Sequence, residues 1–168
     1  MSPERDPFRN PFPAQDQDRR QIWDMLVTRD IDAFVAADWA AVAGDFIAQG
    51  FTGLSAHYQP DPQGYTLAFP TLQAYQTRWL SQAHAFGASL AAGAFLGDPH
   101  LDLHRATRLE EIEITEDAAL VRKKFDGHLA KTDGSMERLN WQTLYICRRE
   151  HNRWKIAGFV GYLPHRAE

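Results

Sequence analysis

Asp126 and His128 are the residues whose types and spacing most directly suggest acid/base chemistry. They stand two apart in a segment patterned as a β-strand, so their side chains share one face. A carboxylate beside an imidazole can hold the ring in one tautomer and let it act as a general base. Strand parity also supports the opposite reading. Val121, Phe125 and Leu129 occupy the other face and look like the core or pocket set, with Lys123 the exception. Asp126 and His128 then point outward, unless a β-bulge near Gly127 reverses the strand.

His57 and Tyr58 form a second candidate site, at the end of a strand expected over Phe51–Tyr58 and just before a proline-rich loop. His57 suits a base at a pocket mouth, and the Tyr58 hydroxyl suits a donor to a developing oxyanion. Adjacent strand residues face opposite ways, so one of them at most looks inward. The competing reading is an aromatic pair packed beneath the loop. His100-Leu101-Asp102-Leu103-His104 places two imidazoles and a carboxylate on one side at strand spacing. A metal site needs a further ligand or open position and a supporting outer shell, so a polar sheet edge is the simpler account and no metal is expected. Cys147 reads as a small packed hydrophobe. No glycine-rich phosphate loop, serine nucleophile elbow or His-Glu-x-x-His motif occurs, and no cofactor is expected.

Aromatic residues supply candidate ligand contacts. Trp79 lies on the apolar stripe of a long helical pattern; Trp141, Thr143 and Tyr145 alternate on one strand face, and Phe159 can join them from the last strand. Such a wall fills a core as readily as it lines a pocket.

Short helices must position these groups first. Ile22, Trp23, Leu26 and Val27 make one helical face, Asp30 can cap a second helix carrying Ile31, Phe34 and Val35, and Asp38 a third through Trp39, Val42, Phe46 and Ile47. After the expected strand and a loop over residues 59–70, Thr71 precedes the longest helix, with Leu72, Tyr75, Trp79, Ala83, Phe86 and Leu90 on its stripe. From about Ala106 the period changes to strands, turning at Glu116-Asp117, at Thr132-Asp133-Gly134-Ser135 and around His151-Asn152. The last two strands are long and aromatic, as a strongly curved sheet requires. The fold class is therefore α+β, with N-terminal helices packed on a curved, mainly antiparallel sheet.

The chain has 168 residues, 44% of them hydrophobic, and a formal charge of −4 from 18 basic and 22 acidic residues. One domain with a real core is expected, and a nucleic-acid partner is not. No apolar run is long enough to span a membrane. The single cysteine fits a reducing cytoplasm. Residues 1–18, with four prolines, read as an extended arm laid by Phe8 and Phe12 across a partner subunit, or as a loose tail; 19–163 form the domain, and 164–168 a tail.

The order of elements, the Asp38-Trp39-x-x-Val42-x-x-x-Phe46 pattern and the closing Arg153-Trp154-Lys155-Ile156-Ala157-Gly158 strand resemble the nuclear-transport-factor-2-like (cystatin-like cone) superfamily, nearest its SnoaL-like branch. The resemblance covers roughly residues 19 to 163. It implies a ligand-binding pocket for a small hydrophobic molecule, a homodimer formed through the outer sheet face, and cofactor-free isomerase, cyclase or dehydratase chemistry. The alternative readings are a non-catalytic dimeric binding module and the small structural subunit of a ring-hydroxylating oxygenase.

Overall fold

Ile22, Trp23, Met25, Leu26 and Val27 are all buried, and they lie on one continuous helical rod rather than on separate helices. The structure is a computed structural model that describes residues 4–165. Helix α1 (Gln17–Trp23) starts where the Asp16 carboxylate accepts from the Arg19 N–H. It passes through a π-helical turn (Asp24–Arg29) and continues as α2 (Asp30–Ala36). Asp30 therefore caps nothing; its backbone is helical (φ −63°, ψ −50°). Ala37, in the left-handed region at φ 53°, ends the rod.

The helix expected after Asp38 is reduced to two 3-10 turns, Trp39–Ala41 and Ala43–Asp45, and Asp38 makes no side-chain cap. Tertiary attachment overrides the local pattern here. Asp45 is 1% exposed and accepts from Arg29 through both oxygens (2.7 and 2.8 Å) and from Arg153 (2.8 Å). Phe46 turns extended and pairs with Ile156. Three charge-assisted hydrogen bonds on a buried carboxylate outweigh the few tenths of a kcal/mol per residue that helix propensity offers.

Strand β1 (Thr52–Ser55) is shorter than expected, and β2 (Thr66–Phe69) forms inside the stretch expected to be loop. Helix α3 (Leu72–Ala91) begins at Thr71, whose hydroxyl accepts from the Ala74 N–H, and Gly87 does not interrupt it. Helix α4 (Pro99–Ala106) overturns the strand spacing assumed for His100–His104: Asp98 caps it, and Pro99 sits in its first turn. Strands β3 (Thr107–Thr115), β4 (Ala118–Ala130), β5 (Met136–Glu150) and β6 (Arg153–Leu163) complete the chain. The last hairpin turns on His151 and Asn152, both at positive φ, as a type I′ turn needs.

The six strands are ordered β2-β1-β6-β5-β4-β3. All neighbours are antiparallel except β1 and β6, so the sheet is mixed and open. Irregularities between Gln142 and Leu144, between Ile146 and Cys147, and between Arg108 and Glu111 bend it. Gly158 lets β1 approach: a Cβ there would lie 2.5 Å from the Thr52 carbonyl oxygen. The helical rod and α3 cover the concave face. A main core contains Ile22, Leu26, Trp154 and Ile156 and extends to Trp79, Tyr145 and Phe159, and a smaller cluster is built around Ala106, Leu129 and Leu139.

Residues 1–3 of the expected arm and 166–168 of the expected tail lie outside the described residues, and the described part of the arm lies on its own chain. Arg20 donates to the Phe12 carbonyl (2.7 Å), Arg5 to the Thr107 carbonyl (3.0 Å), and Phe8 packs on the histidines of α4. Among the described residues, no helix is long and apolar enough to cross a membrane.

Candidate functional site

A cavity of about 750 Å³ lies between the concave face of the sheet, α2 and α3. Its walls follow directly from strand parity. Phe125 and Leu129 on β4, and Leu139, Trp141, Thr143 and Tyr145 on β5, are inward positions that alternate with outward ones. Phe159 comes from β6, Tyr75, Trp79 and Phe86 from α3, and Ile31 and Phe34 from α2. The rings support one another: Phe125 stacks on Trp141 at 4.7 Å, Phe34 meets the edge of Trp79 at 5.7 Å, and Tyr75 that of Phe159 at 5.0 Å.

Two groups of polar residues on this wall bear on chemistry, and Arg78, Gln82, Ser89, Lys131 and Glu137 line it as well. The buried group is centred on Lys123, which is 1% exposed although it lies on the apolar face of β4. Its ammonium donates to Asp30 Oδ2 (2.9 Å) and to the Leu26 carbonyl, and lies 5.2 Å from the Phe125 ring centre. The π turn supplies this clamp. The Asp30 N–H reaches back to Val27, and the Leu26 carbonyl receives the lysine. A buried ammonium without such partners would carry a desolvation penalty of several kcal/mol. Asp30 Oδ1 has no hydrogen-bond partner among the described residues, and Asp30 lines the cavity.

Tyr75 and Tyr145 line the cavity in the same region. Burial raises the Tyr145 hydroxyl well above its ordinary pKa, with further contributions from Asp30 and Tyr75; burial raises Tyr75 likewise, again with help from Asp30. Both phenols therefore stay protonated at neutral pH and are available as hydrogen-bond donors. Neither is engaged by another described side chain.

The second group, at the mouth, contains the exposed His57 and Tyr58, the partly buried Tyr162 and the buried Ser55. His57 and Tyr58 both line the cavity, contrary to the strand expectation. β1 has ended at Ser55, and both residues take positive φ (51° and 62°), so two-residue alternation no longer applies. The His57 ring contacts the Thr66 hydroxyl (2.8 Å) and, more weakly, that of Ser55 (3.4 Å). Tyr58 faces Tyr162 at 5.3 Å and is 54% exposed; burial of its hydroxyl end and the neighbouring Tyr162 raise its pKa.

Asp126 and His128 are not part of the site. The β4–β5 register runs unbroken through Asp126↔Asn140, Gly127↔Leu139 and His128↔Arg138, so no bulge reverses the strand. Both residues are exposed on the convex face, where Asp126 accepts from Asn140 (3.2 Å). Gly127 instead admits the end of α4: a Cβ there would meet Ala106 Cβ at 2.7 Å. Trp79, Trp141, Tyr145 and Phe159 all lie on the cavity wall.

Asp30, Lys123 and Tyr75 escaped the sequence reading as site residues. One signal was present: a lysine on an otherwise apolar strand face must find an acceptor. Which acidic residue answers it is a matter of tertiary contact.

The sequence matches no family model and no curated protein. Solved structures do match. A nuclear-transport-factor-2-like protein of unknown function from Methylobacillus flagellatus superposes with a TM-score of 0.53 at 15% identity, covering 93% of this chain and 97% of that one. Another, from Shewanella baltica, gives 0.51 at 14% identity, covering 93% and 100%. This chain has the nuclear-transport-factor-2-like fold. A conserved protein from Planctomyces limnophilus is similar as well, with a TM-score of 0.54 at 16% identity over 86% and 94% of the two chains. At such identities the likeness concerns the nuclear-transport-factor-2-like cone alone, and this chain's own residues must carry any argument about chemistry.

Proposed function

We propose that the cone binds a small, largely apolar molecule and that Asp30 moves a proton on it without a cofactor. This is isomerase, cyclase or dehydratase chemistry of the SnoaL-like kind. The observation that carries this reading is the asymmetry of the Asp30 carboxylate. Oδ2 is held by Lys123, while Oδ1 is left without a described partner at a cavity lined by aromatic rings. A fixed carboxylate with one free oxygen in an apolar pocket suits a general base or acid.

For a carbonyl compound, Asp30 Oδ1 accepts a proton from the carbon next to the carbonyl, and the C–H electron pair moves into an enolate. A phenol, Tyr145 or Tyr75, donates a hydrogen bond to the enolate oxygen. The proton then returns to the substrate at a second position. Lys123 holds Asp30 in place through Oδ2. Trp79, Trp141 and Phe159 supply apolar contact, and His57 and Tyr58 flank the mouth.

The test is a thermal-shift screen of aromatic and polycyclic carbonyl compounds, followed by proton–deuterium exchange on whichever compounds bind. Asp30→Asn is expected to keep binding and lose exchange by about a hundredfold or more. Binding without exchange in the native protein would leave a non-catalytic binding module. Exchange that survives Asp30→Asn would remove Asp30 from the mechanism.

A further inference from the structure

Asp32, His100 and His104 converge on the outer side of the helical layer, and none of them lines the cavity. His100 and His104 stand four apart on α4, one turn of helix, so both imidazoles leave the same face. Asp32 reaches them from α2, with His100 Nε2 2.6 Å and His104 Nε2 3.3 Å from the same oxygen, Oδ1. All three donor atoms lie within 4.8 Å of one another.

We propose that these three residues bind a divalent first-row transition ion, zinc in the first instance, which fastens α2 to α4. Two imidazole nitrogens and one carboxylate oxygen form a recognised donor set for such ions. Ligands bound at about 2.0–2.2 Å in a tetrahedron stand roughly 3.3 Å apart. The His104–Asp32 separation already has that value, and the His100–Asp32 contact must open by some tenths of an ångström.

Burial fixes which His104 nitrogen can serve the cluster. His104 is 0% exposed, and its Nδ1 has no hydrogen-bond partner. Its one polar contact is therefore the one into this cluster. Nε2 is the nitrogen presented to the cluster, whereas Nδ1, on the far side of the ring, is buried and is not one of the donor atoms. The N-terminal arm covers one side of the cluster. The Phe8 ring centre lies 4.6 Å from that of His104 and 5.7 Å from that of His100. Asp32 remains 51% and His100 36% exposed, which leaves room for water in the remaining coordination positions.

The inference is independent of the cavity chemistry. Its test is zinc titration of chelator-treated, tag-free protein, followed by calorimetry and by thermal melting, with cobalt absorption spectra as a report on ligand geometry. One zinc ion per chain is expected, with a rise in Tm of roughly 5 °C at saturating metal. His100→Ala, at a partly exposed position, is expected to fold and to bind zinc at least about tenfold more weakly, and Asp32→Asn likewise. His84→Ala, elsewhere on α3, is expected to change nothing. Absence of one-to-one binding at about 100 µM zinc, or binding unaltered in both His100→Ala and Asp32→Asn, overturns the proposal.

Discussion

Lys123 Nζ lies 2.9 Å from Asp30 Oδ2, joining the middle of a strand to the junction between a π turn and an α-helix. The lysine is 1% exposed and the aspartate side chain 31%. The pair thus places one polar clamp at the edge of an apolar cavity and ties the helical rod to the sheet.

The two members of this pair should be energetically coupled. Lys123→Met leaves Asp30 partly in contact with water, so its cost is moderate, about 1–2 kcal/mol. Asp30→Asn leaves the buried ammonium with the Leu26 carbonyl and an amide, at about 2–3 kcal/mol. The double variant is expected to be less destabilised than the sum of the two. Urea denaturation of the four proteins measures this, and strict additivity would mean that the pair is not coupled.

Asp126→Asn and His128→Gln should be nearly silent. Both side chains lie on the convex face, so stability should stay within about 0.5 kcal/mol and ligand affinity should be unchanged. A loss of binding in either would place them at a ligand site after all.

Alkaline pH should weaken the fold. Burial pushes the Cys147 thiol up from 9.0 to about 12. Between those values the unfolded chain releases a proton that the folded chain retains. The stabilisation is therefore complete below pH 9.0 and is lost as pH rises towards 12. Tyr75 and Tyr145, both raised by burial, act in the same direction. Denaturation midpoints should fall across that window, and iodoacetamide should label native Cys147 far more slowly than unfolded chain at pH 8.

Gly158→Ala should be severe. The added methyl would lie 2.5 Å from the Thr52 carbonyl oxygen, which is backbone and cannot swing aside. A cost of about 2–3 kcal/mol is expected from forcing β1 away from β6. It would appear as a lowered Tm and faster amide exchange at residues 52–55.

Leu120 and Ile146 are register partners on the convex face, 46% and 44% exposed. We expect this face to join two copies of the chain, so that Leu120→Glu with Ile146→Glu yields monomer in light scattering while leaving the circular dichroism spectrum intact. A native protein that is already monomeric at high concentration would refute the homodimer.

Much of the fold was legible because periodicity reports burial. The stripe Leu72, Tyr75, Trp79, Ala83 and Phe86 became α3, and the alternation Trp141, Thr143 and Tyr145 became a concave face. Long-range attachments were not legible. Asp45 broke an expected helix because Arg29 and Arg153 hold it, and Arg153 is distant in sequence. Likewise, the residues around His100 became a helix capped by Asp98, so four-residue rather than two-residue spacing set which side chains share a face.

By itself, then, the sequence determined the α+β class, the hairpin turns and which strand positions face the same way, since these depend on neighbours a few residues apart. Tertiary structure decided which acid meets the buried Lys123, that His57 and Tyr58 turn together towards the mouth, and that Asp32 joins two histidines 68 and 72 positions away. Those pairings depend on helices and strands docking through space, where a buried charge is stable only beside whatever partner the packing brings within about 3 Å.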